Sequence, residues 1–178
     1  MNELYAVLST VGPDRKGMAD DIANIAIEFN CNIEDSKMSV LGGEFAVIML
    51  ISGEGKSIIE LISKADDIGK RFDMNINIKE TSAPHTVQQG IPYMLETISM
   101  DTPGIVHSIT LYLRELSINI EDLETDKSAA PLSGTPMFHM RAKIIIPKSV
   151  NLADFKDHLS DIEHEMNLDI HLKAYTGE

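Results

Sequence analysis

Residues 32–35 read Asn-Ile-Glu-Asp, and the same four residues return at positions 119–122. The match extends backwards without a gap, so that residues 14–35 align with residues 101–122 at a shift of 87, with 8 identities in 22 positions. Self-similarity at a fixed shift is the signature of a duplicated structural unit. The sequence therefore predicts two copies of one unit, each filling about half of the chain.

The first copy has the residue pattern of a strand, a helix, two strands, a second helix and a last strand. Apolar residues at helical spacing mark one buried face on each helix. Gly42-Gly43 separates the strand-like stretches Ile33–Leu41 and Phe45–Ser52 and indicates a tight hairpin. The remaining elements are carried by Leu4–Ser9 in the first strand, by Met18, Ile22, Ile25, Ala26 and Phe29 in the first helix, by Ile58, Leu61, Ile62, Ala65, Ile68 and Phe72 in one continuous second helix, and by Met74, Ile76 and Ile78 in the last strand.

The second copy repeats this order with a loop inserted around Ser128 to Pro136, before its third strand. Beyond the insertion, residues 74–79 match residues 168–173 in pattern at a shift of 94. Asn151 and Asp154 form a predicted capping pair at the start of the last helix. The predicted elements are the first strand at Tyr93–Ser99, the first helix with Ile105, Ile109, Leu113 and Leu116 on its buried face, the third strand at Met137–Ile146, and the second helix with Leu152, Phe155, Leu159, Ile162 and Met166 on its buried face.

The order β-α-β-β-α-β predicts a ferredoxin-like unit, in which both helices cover one face of a four-stranded antiparallel sheet. The expected fold class is therefore α+β, with two such units. Residues 81–90 are polar and contain Pro84 and Gly90, which indicates a join between the units. We expect a first domain over residues 1–82, a linker over residues 83–90 and a second domain over residues 91–178.

Composition argues against several classes of function. The net charge of −13, with 28 acidic against 15 basic residues, opposes direct contact with the phosphates of DNA or RNA. The longest apolar run, Phe45–Ile51, is too short to span a membrane, and no secretory signal follows Met1, so a cytoplasmic location is expected. The single cysteine, Cys31, excludes a paired-cysteine metal motif. His158 and His164 diverge along the last helix, so we predict no metal and no cofactor.

The loop between the first strand and the first helix carries the predicted binding site. It reads Gly-Pro-Asp-Arg-Lys-Gly-Met over residues 12–18 and Met-Asp-Thr-Pro-Gly-Ile over residues 100–105. A helix N-terminus offers backbone N–H groups and a positive dipole end to a carboxylate. A nearby aspartate can pair with an ammonium group, so this loop suits a zwitterionic amino acid.

The form Asp-x-x-Gly-apolar, followed by the helix and then by Asn-Ile at the second strand, resembles the ACT domain, twice. The tandem arrangement and the insertion resemble the glycine cleavage system transcriptional repressor family. The resemblance implies a non-enzymatic regulator that binds a small amino acid such as glycine or serine, forms a homodimer and contacts a partner protein such as a transcription factor. The ligand contacts that it implies are Asp14, Gly17, Met18, Asn32 and Ile33 in the first copy, and Asp101, Gly104, Ile105, Asn119 and Ile120 in the second.

Each of these residue types also has a purely structural interpretation. Asp14 and Asp101, with Thr102 as a rival, can serve as helix N-caps. The two glycines can allow close packing of helix on sheet, and the two asparagines can be turn residues. For the whole protein, the alternative is a ligand-free structural or dimerisation module. An acylphosphatase-like activity would need a loop arginine, and Arg15 has no counterpart in the second copy.

Overall fold

A computed structural model of the chain describes residues 3–83, 89–100, 102–131 and 133–176. Within these ranges the chain forms eight strands and five helices. They are, in chain order, β1 (Glu3–Pro13), α1 (Met18–Glu28), β2 (Cys31–Leu41), β3 (Glu44–Glu54), α2 (Gly55–Ser63), α3 (Ala65–Phe72), β4 (Asn75–Thr81), β5 (Ile91–Met100), α4 (Ile105–Glu115), β6 (Asn119–Ala129), β7 (Pro136–Ile146), α5 (Leu152–Met166) and β8 (Leu168–Ala174).

The chain divides into two units, Met1–Thr86 and Val87–Glu178, which we call the first and second unit. The first unit has the strand order β2-β3-β1-β4 and the second has β6-β7-β5-β8, with antiparallel pairing throughout both sheets. The predicted fold class, two ferredoxin-like units, is confirmed. The predicted linker falls partly on residues 84–88, which lie outside the described residues, so its bounds stay a prediction.

Each unit has its own core between the sheet and the helices. Burial alternates along β1, where Ala6 and Leu8 are fully buried, because only one face of the sheet is covered. The buried face of α1 is the predicted one, and in the second unit Leu95 of β5 packs in the same way against α4 and α5. The residues of these helices that fill the cores are Met18, Ile22, Ile25 and Ala26 in α1, Ile105, Ile109 and Leu113 in α4, and Phe155, Leu159 and Ile162 in α5.

The sequence predicted one continuous second helix in the first unit. The structure instead divides it at Lys64 into α2 and α3. Ile58 and Ile68 nevertheless remain buried in the same core, so the break does not displace the apolar face. After the break, α3 packs closely against the backbone that leads into β4. A β-carbon added at Gly69 would lie 2.8 Å from the carbonyl oxygen of Met74.

The strands run further than the sequence patterns indicated, because pairing continues beyond the apolar residues. β1 pairs with β3 as far as Pro13, whereas the predicted strand ended at Ser9. In the second unit, Ser128 and Pro136 belong to β6 and β7, so the inserted loop is confined to residues 130–135. Among the described residues, no helix combines the length and apolar character that a membrane crossing requires.

Backbone conformation is duplicated as well as topology. Three pairs of equivalent positions have positive φ, namely Gly17 and Gly104, Asn30 and Ser117, and Asp73 and Asn167. The β2–β3 connection differs, since the first unit has the predicted tight hairpin with φ of 60° at Gly42 and 88° at Gly43. Positive φ at both central residues is typical of a type I′ turn.

The two sheets differ on the faces that their helices leave open. In the first unit this face exposes Val11 and Ile48, at 51% and 53%. In the second unit it exposes Ile98, the equivalent of Val11, and also carries ion pairs, with Arg141 3.1 Å from Glu124 and Lys173 3.2 Å from Glu96. The position of the apolar Ile48 is thus charged in the second unit, where Arg141 is its equivalent.

Candidate functional site

Both first helices begin at a glycine in the left-handed region of backbone conformation. Gly17 is the N-cap of α1 with φ of 90°, and Gly104 is the N-cap of α4 with φ of 101°. A β-carbon added at either position would meet nothing within 4 Å. The glycines are therefore required by positive φ, which costs an L-residue about 1–2 kcal/mol. Close packing of helix on sheet, the structural alternative, is wrong for both.

Asp14 does not cap the first helix. The N-cap positions belong to the two glycines, and no side chain of the described residues caps α1 or α4. The N-cap interpretation is therefore wrong for Asp14 and for Thr102. Asp14 is exposed, and its backbone N–H donates to the carbonyl of Gly43 at 3.0 Å, which ties the loop to the hairpin. Asp101 lies outside the described residues.

The first turns of α1 and α4 have the same hydrogen bonding but different charge. Each intrahelical ladder starts with a 2.9 Å bond to the N-cap glycine, from Asp21 in α1 and from Ser108 in α4. The first turn of α1 carries Asp20 and Asp21, the latter 2.7 Å from Arg15, whereas the first turn of α4 has no acidic residue. Arg15 and Lys16 offset these acids, so residues 14–21 and residues 101–108 carry the same formal net charge of −1.

The predicted apolar contacts belong to the cores. Met18 and Ile105 are each only 2% exposed, so their backbone rather than their side chains faces the loop. Ile33 and Ile120 are partly buried and pack against the core of their own unit.

The predicted asparagines lie at the opposite end of each sheet from the loop. Asn32 pairs with Ser52, which pairs with Tyr5 at the start of β1, whereas the loop follows Pro13 at its end. Eight residues of strand separate these two ends, a distance of about 26 Å. Asn119 lies likewise at the far end of β6, opposite residue 145. One unit therefore does not bring its glycine and its asparagine together.

A β-bulge follows the asparagine in both units, and each bulge contains a glutamate. The register of β2 against β3 shifts between Ile33 and Asp35, leaving Glu34 without a ladder partner. The hydroxyl of Ser52 donates to Glu34 Oε1 at 2.6 Å, and the Asn32 amide donates to the same oxygen at 3.0 Å. These two bonds lower the pKa of the Glu34 carboxyl, and the bond from Ser52 has the larger effect.

The equivalent glutamate of the second unit contacts a cation instead. The register of β6 shifts between Ile120 and Asp122, and the carboxylate of Glu121 lies 3.0 Å from Lys143 Nζ. The hydrogen bond to Glu121 raises the pKa of Lys143, against an opposing effect of burial. Sequence reasoning singled out neither glutamate as a site residue, although both stand in the repeated Asn-Ile-Glu-Asp block.

Buried threonine hydroxyls occupy equivalent positions in the two units. Thr10 and Thr97 are 3% and 1% exposed, and within the described residues the Oγ1 atom of each has no hydrogen-bond partner. Such hydroxyls lower stability relative to an apolar group of the same shape.

Other features lie away from the predicted site. An open groove of about 410 Å³ lies between α3 and β4, lined in part by Gly69 and Asn75. The described residues contain no group of three or more histidine, cysteine, aspartate or glutamate side chains placed to hold a metal ion. His158 stacks on the ring of Tyr112 with centroids 4.1 Å apart, while His164 contacts the backbone carbonyl of Ser160.

Comparison with known proteins assigns a family to this geometry. Residues 5–79 match the model of the ACT domain. The chain is 26% identical over 163 residues to the glycine cleavage system transcriptional repressor of Escherichia coli (strain K12), covering 92% of this chain and 86% of that protein. It is 34% identical over 70 residues to a UPF0237 protein of Methanopyrus kandleri, covering 36% of this chain and 78% of that protein.

Two solved structures share the architecture over nearly the whole chain. An unknown protein from Galdieria sulphuraria is 28% identical with a TM-score of 0.81, covering 98% of this chain and 100% of that one. A structure provisionally assigned to the glycine cleavage system transcriptional repressors is 23% identical with a TM-score of 0.73, covering 98% of this chain and 99% of that one. The second match shows the fold alone.

Proposed function

Because the chain belongs to the ACT-domain family, with the unit present twice, we propose that it is a cytoplasmic amino-acid-responsive regulator rather than an enzyme. The ligand is a small amino acid such as glycine or serine, and its binding changes the affinity for a partner protein. The similarity to the Escherichia coli repressor over 92% of the chain supports a role in the transcriptional control of glycine cleavage or amino-acid metabolism.

The charge of the chain favours a protein partner over DNA. With a net charge of −13, the protein repels a phosphate backbone, whose binding requires clustered basic residues. A regulator of this composition acts on transcription by contacting another protein, such as a transcription factor, and we expect it to do so as a homodimer.

The observation that carries the proposal is the pair of glycine-started helices. In both units, a glycine at positive φ opens the first helix, no side chain of the described residues caps it, and a β-carbon added at the glycine would meet nothing within 4 Å. Backbone N–H groups at such a helix end are ready to receive a carboxylate.

The proposed ligand contacts are Asp14, Gly17 and Asn32 with their counterparts Asp101, Gly104 and Asn119, together with the backbone of the adjoining apolar residues. Since the glycine and the asparagine lie at opposite ends of one sheet, a small amino acid does not contact both of them within one unit.

The chain supplies a matched pair of variants for testing the proposal. Gly17 and Gly134 both have positive φ, of 90° and 68°, and a β-carbon at either would meet nothing within 4 Å. Gly17→Val and Gly134→Val therefore both place a β-branched residue at positive φ, but only the first lies at the start of α1. We expect at least one of the twenty amino acids to raise the melting temperature of the wild type, because a ligand of the native state stabilises it.

Gly17→Val should weaken the response of the first unit, and Gly134→Val should retain it. Equal responses from the two variants would show that the ligand does not use the α1 start. If no amino acid raises the melting temperature of the wild type, the chain is better described as a ligand-free dimerisation module.

A further inference from the structure

The groove between α3 and β4 of the first unit occupies the place that a glutamate side chain fills in the second unit. We propose that this groove binds a small zwitterion, whose carboxylate takes the position of the Glu163 carboxylate and whose ammonium group faces acidic side chains of α3. The groove contains none of the proposed ligand contacts, so this site is independent of the proposed function.

Positions 69 and 163 are equivalent in hydrogen bonding as well as in sequence. The C-cap residues of α3 and α5 both have positive φ, and their backbone N–H groups donate to the carbonyls of Gly69 and Glu163 respectively. In the second unit, the Glu163 side chain reaches β8, where its carboxylate accepts from the backbone N–H of Ile170. In the first unit, glycine provides no side chain for this purpose.

Strand register places an equivalent N–H group in the first unit. Ile170 lies opposite Thr97, and Ile76 lies opposite Thr10, in the same antiparallel arrangement. Because the Ile170 N–H bonds to a helix side chain, it points away from β5, and the same register directs the Ile76 N–H away from β1. A β-carbon on Gly69 would lie 3.7 Å from the Ile76 nitrogen, so this N–H faces the groove.

The close approach at Gly69 prevents the first unit from filling the groove itself. A β-carbon there would lie 2.8 Å from the carbonyl oxygen of Met74, so a side chain such as that of Glu163 does not fit unless α3 shifts. A carboxylate that bonds to the Ile76 N–H in the same way therefore has to come from another molecule.

The groove has the size and the charges for a small zwitterion. Its volume of about 410 Å³ is within the range of small-molecule sites. Lys70 and Asn75 line it and can donate to a carboxylate. Asp66 and Asp73 also line it, and they oppose a simple anion but attract an ammonium group. The lining therefore favours a molecule that carries both charges over a simple carboxylic acid.

The test compares Asp66→Asn with Asp67→Asn as its matched control. Both aspartates lie in the first turn of α3, but of the two only Asp66 lines the groove, whereas Asp67 lies 3.4 Å from Lys64. The probes are glycine, β-alanine and 4-aminobutyrate, which differ in the separation of their charges, with acetate and methylammonium as carriers of one charge each. Backbone amide NMR follows the signals of Ile76 and Ile170 in each titration, and thermal unfolding checks that both variants fold.

We expect at least one zwitterion to shift the Ile76 amide in a saturable manner and to bind at least fivefold more tightly than acetate or methylammonium, while the Ile170 amide moves less. Asp66→Asn should weaken this binding at least threefold, and Asp67→Asn should retain the wild-type affinity. An Ile76 amide that responds to none of the zwitterions, acetate binding as tight as theirs, or equal losses in the two variants would overturn the proposal. None of these results affects the proposed response at the helix starts, which is read from residues 17–20 and 104–107.

Discussion

The two units have nearly the same backbone and different side-chain chemistry at equivalent places. Both start the first helix at a glycine of positive φ, both place a glutamate on a β-bulge, and both bury a threonine hydroxyl in the first strand. They differ in what surrounds these features. The first turn of α1 is acidic and that of α4 is not, while Glu34 meets neutral donors and Glu121 meets a lysine.

The comparison teaches that duplication preserved the backbone at the starts of the first helices and at the bulges, while the polar groups around them diverged. Equal binding by the two units would need equal side chains at these places, and they differ.

The largest expected effect tests how the second helices differ. Gly69 in α3 and Glu163 in α5 are equivalent positions, but α3 lies against the Met74 carbonyl while Glu163 accepts a hydrogen bond from the Ile170 N–H. Gly69→Val forces a clash with backbone and should lower the free energy of unfolding of the first unit by about 3 kcal/mol. Glu163→Ala removes one hydrogen bond and should cost the second unit about 1 kcal/mol.

Urea unfolding with hydrogen exchange resolved by unit measures both changes. If Gly69→Val lowers the free energy of unfolding by less than about 1 kcal/mol, α3 can shift away from Met74 at little cost. The close approach at Gly69 would then not restrict the residue at this position.

A smaller effect of opposite sign tests the equivalence of the first strands. Thr10→Val and Thr97→Val each replace a buried hydroxyl that lacks a partner with a methyl group of similar shape. Each substitution should raise the free energy of unfolding of its own unit by about 1 kcal/mol. Thermal and urea denaturation provide the measurement, and a destabilised variant would indicate that the hydroxyl makes a hydrogen bond in solution.

The sequence alone was sufficient for the topology, because apolar spacing and the gapless repeat report on which faces are buried. It placed Gly17 and Gly104 in the first turns of their helices and expected the helices to begin near Asp14 and Asp101, whereas the structure makes the two glycines the N-caps. Three features required coordinates. They are the break at Lys64, the end of the sheet that holds Asn32, which depends on strand register, and the partners of Glu34 and Glu121, which come from a strand distant in sequence.

The smallest expected effect is an opposite pH response of the two bulges. The pKa of Glu34 is lowered in the folded protein, so its contacts contribute at neutral pH and are lost as the pH falls through that pKa. The pKa of Lys143 is raised, so its pairing contributes below the unfolded value and is lost as the pH rises through the folded one. Side-chain NMR titration checks both directions, and Ser52→Ala should return the pKa of Glu34 towards its ordinary range. A Glu34 carboxyl unaffected by Ser52→Ala would contradict the assigned hydrogen bond.

The most direct test of amino-acid sensing observes the helix starts themselves. Backbone amide NMR spectra of the wild-type chain are recorded while each of the twenty amino acids is added, with the signals of residues 17–20 and 104–107 followed. The account predicts that at least one amino acid shifts the amides of a first helical turn in a saturable manner, while the Gly134 amide of the β6–β7 loop moves less. If these turns stay unchanged in both units with all twenty amino acids at millimolar concentration, the glycine-started helices are structural and the chain is not an amino-acid sensor.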